Sequence, residues 1–265
     1  MINLVGIGNT GCNIVQFLSQ YPQYNIVKID EDINIKKQSS PEEYEKNCPS
    51  FKKLFSKNKG DYYIFLSASG NISGILLRLL EQIKTNNLNV ICIVSDTKLL
   101  SVTGKMQQNL VTGIMKEYAR SGLLESVRFL DNQLLEEMIG DCPIDKYYDT
   151  LNEFICYMFH SFMFLQNTKP LMETKEEGKN ISRICTFGLL DKQNNKKMFY
   201  KLNNVTQERY YYSFSKLDLS KNNKILQNIK SNLAEESDIT KTFAVYETEE
   251  TDKYVLIEQK THILI

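Results

Sequence analysis

The sequence predicts an α/β fold: a parallel sheet in the N-terminal half, a long central helix, and a smaller C-terminal α+β domain. Three observations carry this. Apolar runs of strand length alternate with helix-period segments through the first half. Residues 145–166 are apolar on nearly every side over a length that suits a buried helix. Beyond them the texture changes to short strand-like runs separated by polar turns.

Taken in order, residues 2–7 form a continuous apolar run ending in glycine. Residues 10–21 place Ile14, Val15, Phe17 and Leu18 at helical spacing. Residues 24–29 and 62–66 read as strands, 75–83 as a helix, 90–94 as a strand, 110–119 as a helix and 127–130 as a short strand. Strands separated by helices imply parallel pairing through crossovers, and a sheet covered on both faces explains why its strands are apolar throughout. The central helix carries Leu151, Phe154, Ile155, Met158, Phe159, Phe162, Met163 and Leu165, and Pro170 helps to end it. In the last third, 181–190 reads as a strand and 198–202 with 209–214 as a hairpin. Residues 224–233 read as a helix, and 242–246 with 254–258 as a closing strand pair. The expected organisation is 1–144 as a sheet domain, 145–172 as the connecting helix and its end, and 173–265 as the α+β domain.

The bulk composition excludes several function classes. With 32 basic and 32 acidic side chains the net charge is zero, so no basic surplus points to nucleic acid. The six cysteines include no CxxC pair, and His160 and His262 have no ligand spacing with them. Buried free thiols in a reducing compartment are expected, and no metal site. No basic region precedes an apolar one at Met1, and the longest apolar stretch falls short of the roughly 20 residues a membrane helix needs. A cytoplasmic protein is therefore expected. Two histidines, no GxSxG and no Walker lysine argue against a triad hydrolase or a P-loop enzyme. The tyrosine run 210–212 is expected to pack within a sheet rather than to stack on bases.

Gly6-Ile7-Gly8-Asn9-Thr10-Gly11 is a GxGxxG pattern set between a strand and a helix. Glycines permit a tight turn and let backbone N–H groups approach phosphate oxygens, and the helix N-terminus behind them carries partial positive charge. Asp30, ending the second strand, stands where a dinucleotide fold binds ribose. The pattern alone does not choose between a dinucleotide and a mononucleotide, and it also serves where a helix only packs closely on a strand. A second small-residue loop follows the third strand: Ser67-Ala68-Ser69-Gly70-Asn71-Ile72-Ser73-Gly74.

Further segments lie in line with these. Residues 97–105 (TKLLSVTGK) are similar to the run VTKPFxFEGxxR of the tubulin/FtsZ family. Residues 126–135 (SVRFLDNQLL) resemble its DSLIxIPNDxLL segment, and 168–172 (TKPLM) its TRPGLM. The second loop stands where that family has GGGTGTG. The order and spacing match over roughly residues 1–172, while the last third is similar only in general α+β character. This resemblance implies a Rossmann-like GTPase-type domain holding GTP or GDP, with Mg2+ admitted beside it. It implies that Gly8, Asn9, Thr10 and Gly11 bind phosphate, that Gly70, Ser73 and Gly74 form the opposite wall, and that Asn152 reads the guanine edge. An amide offers both the donor and the acceptor that edge requires; an ordinary helix position is the alternative.

Departures bear on mechanism. The second loop has lost most of its glycines, and Thr103 and Gln107 replace the acid and arginine of EGxxR. The NxDxxD loop that polymerising relatives insert into the next subunit's site becomes Glu173-Thr174-Lys175-Glu176-Glu177-Gly178-Lys179. Glu176 and Glu177 are the candidate catalytic acids; a solvated charged loop is the alternative. The helix expected after this loop is missing. The leading expectation is head-to-tail self-assembly with slow or no hydrolysis, with any other protein partner unknown. The alternatives are a non-polymerising binding module with a vestigial pocket, and an NAD-binding protein using Gly6, Gly8, Gly11 and Asp30.

Overall fold

The computed structural model describes residues 2–56, 60–83, 87–174, 181–191, 193–234, 238–248 and 254–262. The chain divides into two compact units, Met1–Tyr157 and Met158–Ile265. The division falls within the long helix.

The first unit runs β1 (Ile2–Ile7), α1 (Gly8–Leu18), β2 (Tyr24–Ile29), α2 (Pro41–Lys46), α3 (Lys52–Ser56) and β3 (Asp61–Ser67). A 3-10 turn (Asn71–Ile75) then leads into α4 (Leu76–Leu80), β4 (Leu88–Val94), α5 (Val102–Arg120), β5 (Ser126–Asp131) and α6 (Asn132–Ile139). The first half of α7 (Tyr147–Gln166) completes it. The strands lie in the order β2-β1-β3-β4-β5, all parallel. Every residue of β4 is buried, as a strand covered on both faces requires. Leu4, Ile64, Phe65, Cys92 and Phe129 are fully enclosed at the centre, each contributing roughly 1.5–3 kcal/mol relative to an exposed side chain if large and aliphatic or aromatic. Helix α5 starts at Val102 rather than Leu110, because the Ser101 hydroxyl caps it by accepting from the Gly104 N–H. The residues its first two turns bury, Gln107 and Gln108, are polar, so apolar periodicity could not reveal them.

The second unit begins in the second half of α7 and continues with β6 (Met172–Glu173), β7 (Ile184–Leu190), β8 (Lys196–Met198) and β9 (Gln207–Phe214). Then come α8 (Lys216–Lys221), α9 (Ile225–Leu233), β10 (Thr240–Glu247) and β11 (Val255–Thr261). The strand order is β8-β7-β11-β9-β10-β6, with β9 and β10 parallel and the other pairs antiparallel. This corrects two expectations. Residues 198–202 do not pair with 209–214; β8 returns on β7 instead. The 242–246 and 254–258 strands do not pair with each other, because β9 lies between them and bonds to both. The connection from β9 to β10 runs through α8 and α9, a parallel crossover rather than a hairpin.

The alternation of β9 divides its tyrosines between two faces. Tyr210 and Tyr212 join Phe243, Val245, Ile257 and Ile229 of α9. Tyr211 meets Phe162 of α7 edge to face at 6.0 Å and accepts a 2.6 Å hydrogen bond from Gln166 on its hydroxyl. At one end of the Tyr210 face stands Glu208, 1% exposed. Burial pushes its carboxyl up, but hydrogen bonds from Lys196 (2.7 Å), Tyr210 (2.6 Å) and Gln259 together outweigh that and hold it below its ordinary value.

A depressed carboxylate pKa contributes stability above its unfolded value of 4.5 and loses it as pH falls through the folded one. Lys196→Ala, which strips a partly exposed ammonium from a buried carboxylate while two neutral donors remain, is expected to cost about 1–3 kcal/mol at pH 7. Urea denaturation should show that difference shrinking below the unfolded value.

Candidate functional site

In a parallel sheet ordered 2-1-3-4-5, the connections leave β1 toward one side and β3 toward the other, which opens a crevice between the carboxyl ends of β1 and β3. The glycine motif sits at that point. A Cβ on Gly11 would lie 2.2 Å from the Phe65 carbonyl oxygen, and one on Gly6 would lie 2.5 Å from the Gly11 carbonyl oxygen. These two glycines let α1 seat directly against β1 and β3. Gly8 has a φ of +68°, a left-handed turn that tips the chain from strand into helix. Behind them Cys12 donates weakly to the Gly6 and Ile29 carbonyls, and burial pushes its thiol up to about 11. It is a packed thiol and not a nucleophile.

The resulting helix end is electrostatically open. Ile7 at the N-cap offers no side-chain hydrogen bond, and no acidic residue lies in the first turn. The N–H groups of the first turn have no intrahelical acceptor, so Gly8, Asn9, Thr10 and Gly11 present donors and the positive end of the helix dipole together. Asn9 is exposed and Thr10 half-buried, while Asn9 Oδ1 accepts from Asn13.

The second loop meets this end through an apolar side chain. A methyl group of Ile72 lies 2.6 Å from the position a Cβ on Gly8 would take, and 4.0 Å from that of Gly70. The predicted wall residues serve different ends. Gly70 has room for a side chain and an ordinary φ of −74°. Gly74 is held against α2, where a Cβ would lie 2.1 Å from the Pro41 carbonyl oxygen. Ser73 is 2% exposed; its hydroxyl donates to the Gly70 carbonyl at 2.7 Å and accepts from Gln107 at 2.8 Å. Gln107, at the position where the resembling family has arginine, is thus a buried tie between α5 and the loop. Helical spacing alone gives no sign of it.

Along the same sheet edge, Ser67, Ser69 and Ser95 join hydroxyl to hydroxyl at 3.3 and 3.0 Å, and Gln108 brackets the Ser95 backbone. Asp131 caps α6 through the Gln133 N–H; burial, with the Asp96 carboxylate adding to it, raises its pKa. The Asp30 carboxylate accepts from the Glu31 N–H, and its carbonyl closes the turn that follows β2. Asn152 on α7 is 4% exposed. The structure therefore brings Gly8 to Gly11 together with Ile72 and Gly70, and places Gly74 and Ser73 on the far side of that loop's packing. Glu176 and Glu177 lie outside the described residues. No group of three or more His, Cys, Asp or Glu among the described residues is arranged to hold a metal, and none of the described helices is long and apolar enough to cross a membrane.

No protein-family model matches the sequence, and no curated protein matches it significantly. Solved structures do. An FtsZ dimer from M. jannaschii superposes with a TM-score of 0.64 at 14% identity, over 98% of this chain and 88% of that one. CetZ from Methanosaeta thermophila gives 0.64 at 13%, over 98% and 86%. A GTPγS-form protofilament of TubZ from Bacillus thuringiensis serovar israelensis gives 0.66 at 13%, over 100% and 87%. The chain has a tubulin/FtsZ-like fold of the α/β class.

Gly11→Ala is expected to destabilise by about 3 kcal/mol, since the new methyl meets a strand carbonyl that cannot retreat. Gly70→Ala, with open space and a compatible φ, should be neutral or stabilise by about 0.4–1 kcal/mol. Urea titrations of the two variants check the contrast.

Proposed function

We propose that this is a tubulin/FtsZ-like protein that binds a guanine nucleotide at the N-terminus of α1 and assembles head to tail into filaments, with slow or no hydrolysis. The observation that carries the reading is the uncapped, acid-free start of α1 at the β1/β3 crevice. Gly8, Asn9, Thr10 and Gly11 would hold the phosphates by backbone N–H groups, with the Thr10 hydroxyl beside them. Asn152 is buried on α7, and its amide would supply the donor and the acceptor that a base-reading role needs. A Mg2+ ion would rest mainly on phosphate oxygens, since the described residues supply no cluster of carboxylates. Glu176 and Glu177 remain the candidates for positioning water.

Self-assembly has separate support. Leu99, Val102, Met106 and Leu110 are 84%, 75%, 68% and 57% exposed. The last three recur every fourth residue, so they form one ridge on α5. A continuous exposed aliphatic ridge marks a protein interface. The similar structures include an FtsZ dimer and TubZ protofilaments and filaments.

A second reading is favoured by the second loop, whose serine is saturated and whose Ile72 packs on Gly8. In that reading the pocket is vestigial and the fold serves as a binding module. Guanine and adenine nucleotides and NAD, compared by thermal shift, separate the readings. GDP and GTP should raise the melting temperature and NAD should not; a flat response to both guanine nucleotides overturns the first reading. Thr10→Asp adds a carboxylate to the first turn of α1. It should stabilise the free protein by about 0.3–1 kcal/mol and abolish the nucleotide response. Light scattering and electron microscopy, with phosphate release followed in the same tube, should show GTP-dependent filaments. Met106→Glu should prevent them while leaving stability within about 0.5 kcal/mol.

A further inference from the structure

The first unit holds a cavity of about 60 Å3 whose walls come from α2, the turn before α4, α4 itself and α5. Its two ends differ in chemistry. At one end α2 begins against the second loop: the Pro41 carbonyl oxygen would lie 2.1 Å from a Cβ on Gly74. There Gln107 of α5 donates to the Ser73 hydroxyl at 2.8 Å. Pro41, Glu42, Ser73, Gly74 and Gln107 are thereby gathered at that end. Ile114 and Met115 line the cavity two turns further along α5, about 10 Å away at 1.5 Å per residue. Leu76, Val111 and Met115 are buried lining residues, so the cavity wall away from the loop is hydrocarbon.

Gln107 is 6% exposed, which fixes its carboxamide in the wall. One of its N–H groups goes to Ser73; a carboxamide has a second N–H and a carbonyl oxygen besides. Two carboxylates stand at the mouth, Glu42 and, one turn on along α2, Glu45. Hydrogen bonds from its own N–H and from the Ser40 hydroxyl hold the Glu42 carboxyl below its ordinary value, so it is ionised at neutral pH. A carboxylate has about four acceptor positions, and two such bonds leave room for an ammonium. Arg78 spans Glu45 at 3.4 Å and Glu81 at 3.3 Å. Glu42, Glu43, Glu45 and Glu81 against Lys46 and Arg78 make four acids and two bases on this side, a net charge of −2. The lining residues of α5 form one stripe at 107, 110, 111, 114 and 115, and Lys105 and Lys116 fall about half a turn away from it. Lys116 lies instead over the Phe129 ring, 5.6 Å from its centroid.

We propose that this cavity binds a small branched alkylammonium ion, its N–H groups donating to the Glu42 carboxylate and the Gln107 carbonyl oxygen and its hydrocarbon end lying between Leu76, Val111 and Ile114. A space of this size holds roughly four waters, which one small amine replaces. The site stands apart from the nucleotide reading and does not depend on it. The test is calorimetry and thermal shift on the full chain with isoamylamine, compared with isoamyl alcohol and with ammonium chloride at matched ionic strength. The amine should raise the melting temperature beyond both, since it binds the folded state. Glu42→Gln should melt as the parent chain does without ligand and bind the amine about tenfold more weakly. Ile114→Phe, which fills the apolar end, should abolish the response. Nα-acetyl-lysine amide carries the same ammonium on a polar body that would press amide groups against Leu76 and Val111, and it should give no shift. Four results would overturn the proposal. The amine may give no shift beyond ammonium chloride. The alcohol may match it, the mark of an apolar hole with no use for charge. Either variant may keep the parent's amine affinity, which places the amine elsewhere. The lysine derivative may bind as well as the amine, which makes the occupant a side chain of a partner protein.

Discussion

The contact on which the N-terminal unit depends is backbone against backbone: α1 seated on β1 and β3 with no side chain between. Gly11 faces the Phe65 carbonyl and Gly6 faces Gly11, at separations that leave no room for a Cβ on either residue. This seating sets where the helix begins. Because it begins at the crevice between β1 and β3, its free N–H groups and its dipole converge on the place where the sheet topology opens. Packing and electrostatics at this site are one constraint viewed from two sides. The same glycines that only a close-packed turn needs are those that leave the positive end of a helix uncovered.

The second loop follows a different logic. Its geometry is held from behind, by Gly74 against Pro41 and by Gln107 reaching Ser73. A hydroxyl that both donates and accepts within the protein is poorly placed to serve a phosphate, and the methyl of Ile72 covers the turn at Gly8. In the nucleotide-binding reading proposed above, the phosphate-facing chemistry would therefore be concentrated in α1, with one helix end and its backbone donors carrying it. That arrangement suits tight positioning of an anion better than it suits stabilising charge that develops during hydrolysis, which requires further groups aimed at the reacting oxygens.

The C-terminal unit solves another problem. A sheet with both faces covered must accommodate charged residues that fall at buried positions. Glu208 is kept ionised by three donors, and Tyr211 is tied to Gln166 and Glu258 on the opposite face. Such networks are stable only when fully satisfied, which makes the Tyr212 oxygen, without a hydrogen-bond partner among the described residues, an exception to the design around it.

The sequence by itself determined the alternation of strands and helices in the first unit, the long helix, and the glycine motif between β1 and α1. Each depends on short-range periodicity or on a turn whose residues are adjacent in the chain. The collinear motifs also pointed to the tubulin/FtsZ fold, although residue identity with the similar structures is only 13–14%. Tertiary structure alone decided the pairing in the second unit. The polar segments near 203–207 and 248–253 read locally as hairpin turns, but β9 takes both edges because α8 and α9 carry the chain across the sheet. It also decided what Ser73, Gln107 and Ile72 do. Ser73 and Gln107 are 34 residues apart, and the methyl on Gly8 comes from a different loop. Local sequence specifies which conformation a segment prefers; it does not specify which distant backbone or hydroxyl will meet it once the core has closed.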